Sequence, residues 1–326
     1  MGRTRNGSMV LGRLPLAFSC LLVVPISSWA AFPFRNYKAG TILRYEMRGL
    51  NDGKVYEAVS RHEVKVKGGV FYEEVEWERL AVGENAIDLA ALKDFRQWVS
   101  LDQGFNTATN NFKDIPPQLM GQLAGPYFDL MTFYVDANPR LFGARLNALA
   151  AGKPLIFPYS KSSSWADGFR TLLGEDCIDF QITFQTELPE RPVLRVEHIA
   201  PEKDTCVSLP ESWMASRVGG RPNNWVQIGI DQAKMGNSPE YGASYGLEYF
   251  DSHIYLDPIN GMIRSANLYN TVDRINRTCQ EVKTSRHGAK SVVESVGGCG
   301  PATPQHTFRN ISLRLIEYRV PAGRSP

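Results

Sequence analysis

The tightest constraint on the fold is a run of period-two alternation between residues 41 and 79. Leu43, Tyr45 and Met47 alternate with Arg44, Glu46 and Arg48, the pattern of a strand with one buried and one solvated face. Asp52-Gly53 follows, and a two-residue hairpin turn suits that pair because both central positions need positive φ. Centring the turn there sets Leu50 opposite Val55, Arg48 opposite Glu57, Met47 opposite Ala58 and Leu43 opposite His62. Gly68-Gly69 forms a second turn, after which Val66 faces Phe71, Val64 faces Glu73, His62 faces Val75 and Ser60 faces Trp77, with Arg61 opposite Glu76 on the other face. Glu73 is the exception to an otherwise consistent register. A slip of one residue would turn the apolar set to solvent, so residues 40–79 read as a three-stranded meander.

Ile178, Phe180, Ile182 and Phe184 alternate with Asp179, Gln181 and Thr183, and a turn at Pro189 to Pro192 returns the chain through residues 193–199. Further strands are expected over 225–230, 247–256, 262–269 and 308–318, with a turn at 257–261. Leu119, Met120, Leu123, Tyr127, Leu130 and Met131 recur at helical spacing, which predicts an amphipathic helical insertion around 117–136, interrupted near Gly125-Pro126. The fold class expected is mainly β (α+β): a curved or partly closed antiparallel meander sheet with that insertion.

Residues 1–30 have the order of a secretory signal: Arg3, Arg5 and Arg13, an apolar stretch from Leu14 to Ile26, and small residues at Ser28 and Ala30. Cleavage is expected after Ala30 or Ala31, leaving residues 31–326 as a single β-rich exported domain, secreted or periplasmic, with no transmembrane segment. Removing the signal takes three of the 36 Lys+Arg and none of the 34 Asp+Glu. The mature chain then carries 33 basic against 34 acidic residues and no basic stripe, which argues against a nucleic-acid partner. Cys177, Cys206, Cys279 and Cys299 remain after Cys20 leaves, an even number that suggests two disulfides in an exported chain. Sequence order favours Cys177 with Cys206 and Cys279 with Cys299 among the three pairings. The second pair would close a surface loop over 280–305. No Cys-x-x-Cys pair or His-Glu-x-x-His is present, and neither phosphate-loop nor dinucleotide fingerprints occur, so no metal site and no cofactor is expected.

Gly242-Ala243-Ser244-Tyr245-Gly246 matches the Gly-x-Ser-x-Gly elbow, but polar residues precede it and a strand follows. The elbow chemistry needs a buried strand before and a helix after, so the segment reads as a glycine-rich turn. Asp251, His253, Tyr255 and Asp257 alternate along one strand, which makes Asp251, His253 and Asp257 the candidates for acid/base chemistry; a wetted outer face is the plainer reading. His62 and His198 fall on apolar faces, and Ser60 and Tyr45 are candidate hydroxyl partners for His62. Trp165 and Trp225 sit among Ser, Asn and Asp where loops meet strands, a composition suited to a sugar or small-ligand rim.

The order of signal peptide, long meandering strands and one helical insertion resembles periplasmic curved-sheet carriers of the lipoprotein-carrier type, whose concave apolar face holds acyl chains. The resemblance lies in organisation and implies a non-enzymatic binder of an apolar or amphipathic ligand, or of an envelope component, on the inner face of the sheet. Tyr45, Met47, His62, Val64, Phe71 and Trp77 would line that face, with Trp225 at a rim. Two other readings are a glycan-acting enzyme or carbohydrate-binding protein of the envelope, and a structural protein pairing through a sheet edge.

Overall fold

In a computed structural model of the chain, the described residues are 38–51, 53–99, 111–136, 153–158, 171–172, 179–185, 192–199, 225–231, 240–287 and 290–321. The signal segment, Trp165, Cys177 and Cys206 lie outside them. The first four strands are β1 (Ile42–Asn51), β2 (Lys54–Lys67), β3 (Val70–Val82) and β4 (Asn85–Ala86), followed by the short β5 (Gln97–Val99). Helix α1 (Met120–Asp136) comes next, then β6 (Leu155–Pro158), β7 (Thr171–Leu172), β8 (Asp179–Gln185), β9 (Val193–Ile199) and β10 (Trp225–Asp231). The long strands β11 (Glu240–Leu256) and β12 (Ile263–Cys279), the hairpin β13 (Glu281–His287) and β14 (Lys290–Gly297), and β15 (Thr303–Arg319) complete the order.

Thirteen of these strands form one sheet, with the main path β4-β3-β2-β1-β15-β12-β11-β9-β8-β6 and β5, β7 and β10 attached beside it. The pairings are antiparallel. The protein is therefore mainly β, a meander sheet with one 17-residue α-helix among the described residues. The sheet stays open, neither closed nor strongly curled: its path ends at β4 on one side and β6 on the other, and these two do not pair.

The first hairpin has the expected register throughout, from Leu50 opposite Val55 to Leu43 opposite His62. The second also matches, with one feature that alternation does not show: a bulge between Val59 and Ser60. Gly53, Gly68 and Gly69 hold positive φ in the two turns. Chain return through β15 was not evident from local pattern. It pairs with both β1 and β12, so the last long strand sits in the middle of the sheet.

Three expectations change. Helix α1 runs unbroken through Pro126, because that residue is buried in the core where packing outweighs the lost hydrogen bond. Gly242 to Gly246 lies inside β11, paired with β10 on one side and β12 on the other, so Ser244 sits on no turn. Glu281–His287 and Lys290–Gly297 pair as β13 and β14 where a loop was expected, and Cys279 and Cys299 are bonded at their base.

Alternation divides the sheet into two faces. Leu43, Tyr45, Met47, Ala58, Val64 and Val75 on one side join Ile182, Leu194, Phe250, Ile254, Ala266, Leu268, Ile311 and Leu313 in a continuous core, to which α1 adds Leu123, Tyr127, Leu130, Phe133 and Tyr134. The opposite face carries charge ladders such as Arg314 with Glu46 and Arg44 with Glu78, each at 2.7 Å. Such solvent-screened pairs add little to stability, so the core and not the ladders holds the sheet together.

Candidate functional site

The inner face picked out by alternation is closed by the core. Tyr45, Met47, His62, Val64 and Trp77 are all buried, and Phe71 is half-buried at its margin. Helix α1 lies against this part of the sheet and is apolar on most sides. Between Met120 and Asp136 its charged residues are Asp129 and Asp136. Its own sequence is a poor helix former, since Gly125 and Pro126 together cost about 4 kcal/mol against Ala in a helix interior. Helix formation in this segment therefore depends on what it packs against.

Two buried polar clusters tie α1 to the sheet. In the first, Ser60 Oγ lies 2.9 Å from His62 Nε2 and Glu73 Oε2 lies 2.8 Å from His62 Nδ1. Tyr134 of α1 donates its hydroxyl to the same Glu73 oxygen at 2.5 Å. The imidazole bridges the Ser60 hydroxyl and the Glu73 carboxyl, with the donor and acceptor roles of its two nitrogens set by the tautomer. The ring of Tyr45 meets His62 edge-on at 4.9 Å, and its hydroxyl donates to the Ile263 carbonyl. Hydroxyl, imidazole and carboxylate in this order also build nucleophilic serine sites. Here Ser60 is 2% exposed and lies within a strand, His62 and Glu73 are fully buried, and the set holds the Tyr134 hydroxyl of α1.

The second cluster surrounds Asp129, which is fully buried. Its carboxylate accepts from the Tyr56 hydroxyl at 2.7 Å, from Asn51 Nδ2 at 3.2 Å, and from Arg309 through Nε at 3.0 Å and a terminal nitrogen at 2.6 Å. The donors come from β2, β1 and β15, three adjacent strands of the sheet. Tyr56 reaches the carboxylate by crossing Gly49, where a Cβ would lie 2.3 Å from the ring. Burial, followed by the Asp129 charge, pushes the Tyr56 phenol well above its ordinary pKa, against a smaller opposing effect of Arg309, so it remains a donor. A third tie joins Gln97 Nε2 on β5 to the Tyr127 carbonyl at 3.1 Å.

Neither Asp129 nor Arg309 was picked out from the sequence. The available signals were a lone carboxylate inside an apolar helix and, for Glu73, its misfit in the hairpin register.

The outer-face candidates separate. Asp251 takes a bidentate pair from Arg195 at 2.9 and 3.0 Å and lies 3.1 Å from His253 Nε2. Asp257 lies beyond a bulge between Tyr255 and Leu256. It caps the following turn by accepting from the Ile259 and Asn260 backbone N–H groups and from Arg264. Strand alternation has ended before Asp257, so it joins no site with Asp251 and His253. Among the described residues no group of three His, Cys, Asp or Glu forms a metal site. His198 stacks on Phe250 at 4.0 Å. Trp225 opens β10 opposite Gly246.

Burial pushes both the Asp251 and Asp257 carboxyls up, but their partners outweigh it. Arg195 and His253 hold Asp251 below the usual range, and Arg264 with the two turn N–H groups does the same for Asp257. A carboxyl lowered in the folded state contributes stability that is complete above its unfolded pKa, about 4, and is lost as pH falls through the folded value. Thermal melts are accordingly expected to show no contribution from these two groups to pH dependence between about pH 5 and 7 and a falling midpoint below about pH 4. Asp257→Asn should flatten part of that acid limb; an unchanged limb would mean that Asp257 is not held low.

A cavity of about 430 Å³ opens where β3 and β5 meet the segment leading into α1, bordered by Glu74, Asp94, Arg96, Trp98 and Asp114.

Among the described residues, the fold and this site define an open antiparallel β-sheet whose apolar face is covered by one intrinsically weak helix. Comparison with family models, with curated proteins and with solved structures finds no match to the chain.

Proposed function

We propose that the protein is a non-enzymatic carrier in the cell envelope, exported by its N-terminal signal, that binds an apolar or amphipathic ligand on the inner face of its sheet. Helix α1 is the occupant that the ligand replaces. The observation that carries this reading is the combination in α1 of an apolar surface on most sides with a sequence that disfavours helix. Its Gly125-Pro126 step makes it dependent on the face it covers. The paired hairpins β1–β2 and β2–β3 hold that face through backbone bonds independent of the helix. Tyr45, Met47, Val64 and Trp77 would then contact the ligand directly. Native mass spectrometry of the mature protein from its own host's envelope tests the reading. A co-purifying lipid supports it; a bare protein that also takes up no single-chain lipid in titration overturns it.

A second reading, carbohydrate binding, is favoured by a row of rings on the outer face. Tyr249 and Tyr269 are 54% and 43% exposed. Tyr269 packs edge-to-face between Tyr249 and Phe308, with centroids 5.6 and 5.4 Å away. Exposed Asn267 and Asn310 lie on the same strands. Exposed rings beside amides suit sugar stacking and hydroxyl recognition. Envelope glycan pull-down by the native chain, lost in a Tyr249→Ala, Tyr269→Ala double variant, supports this reading, and equal retention by both proteins counts against it.

A further inference from the structure

We propose that the ligand of the inner face is a single-chain amphiphile with an anionic headgroup, and that the cluster around Asp129 is its receptor; this rests on the carrier reading above. Apart from Asp136 at its last position, α1 has the composition of such an amphiphile: an apolar body with one carboxylate, Asp129, buried against the sheet. The sheet meets that carboxylate with a phenol from Tyr56, an amide from Asn51 and two guanidinium N–H groups from Arg309. All four contacts are donors, and both guanidinium N–H groups converge on one carboxylate oxygen, Oδ1, as charge-assisted hydrogen bonds.

Displacement of α1 has a defined electrostatic consequence. The Arg309 side chain is 21% exposed while paired to Asp129, and Tyr56 is held against the same carboxylate. A neutral ligand covering this region would bury a guanidinium without a counter-charge, which is strongly unfavourable. A carboxylate or phosphate headgroup supplies the charge and the acceptors that Asp129 supplied, while its chain takes the apolar contacts of Leu123, Tyr127 and Leu130. The ligand's headgroup and the helix carboxylate thus compete for one set of donors.

The test compares palmitate, hexadecyl phosphate and hexadecanol, below their aggregation concentrations, on the mature native protein by titration calorimetry. At least one of the two anions should bind about tenfold or more tightly than hexadecanol, the span of a charge-assisted hydrogen-bond set. Preference for palmitate identifies a fatty-acid ligand, and preference for the phosphate a phospholipid-type ligand; both support the inference. Hexadecanol binding as tightly as the anions overturns it while leaving the carrier reading intact. No binding by any of the three overturns the carrier reading and the inference with it. Asp129→Asn removes the internal competitor's charge and should tighten binding of the preferred anion by about tenfold. The charge-balanced double variant Asp129→Asn, Arg309→Gln should bind all three probes alike. Retained anion preference in that folded double variant would place the receptor elsewhere and overturn the assignment.

Discussion

Replacing Asp129 with Ala is expected to lower the stability of the protein by about 3–5 kcal/mol, the cost of leaving one partner of a buried ion pair behind. The carboxylate has no solvent exposure, and Arg309 retains only a small part of its own. Without Asp129, Arg309 keeps one contact in this cluster, to the Thr132 hydroxyl at 3.3 Å, and Tyr56 and Asn51 lose their acceptor. Asp129→Asn keeps the shape and one acceptor oxygen and should cost less, about 1–3 kcal/mol. Urea denaturation of the two variants beside the native chain measures both values. A loss below about 1 kcal/mol for Asp129→Ala would rank this tie with exposed pairs and remove the electrostatic reason for an anionic occupant.

His62→Ala is expected to cost about 3–5 kcal/mol through a different mechanism, a cavity in a close-packed core combined with a broken polar network. The imidazole is fully buried between the Ser60 hydroxyl and the Glu73 carboxylate. Its removal takes the partner from Ser60 and one donor from Glu73. Tyr134→Phe deletes only the hydroxyl that reaches Glu73 from α1 and should cost about 1–3 kcal/mol. The same urea experiment checks this order. If Tyr134→Phe cost as much as His62→Ala, the helix contact would dominate the network and the imidazole would be secondary.

The parts of the fold visible in the sequence were those governed by neighbours along the chain. Both opening hairpins could be placed in register because period-two alternation and glycine turns overdetermine the pairing. The bond from Ser60 to His62 was legible for the same reason, since residues two apart on a strand share a face. What local pattern could not supply was the return of the chain. Arg309 and Asp129 are 180 positions apart, and they meet because β15 inserts between β1 and β12. Glu73 was visible only as a misfit on an apolar face. Its partner Tyr134 lies on α1, and hairpin register alone contains no information about the helix. Asp257 shows the opposite failure, in which alternation was carried past a bulge into a turn that uses the carboxylate for its own N–H groups.

Proposed carrier function and proposed ligand class both require that α1 give up the inner face while the strands beneath it remain paired. Hydrogen exchange by mass spectrometry, on the mature protein with and without saturating palmitate or hexadecyl phosphate, observes this directly. The expected result is slow exchange across residues 120–134 in the free protein, a marked rise there on loading, and unchanged protection in β1, β2 and β3. Binding of the amphiphile with the protection of α1 unaltered would contradict the proposal and show that the helix is a permanent part of the core.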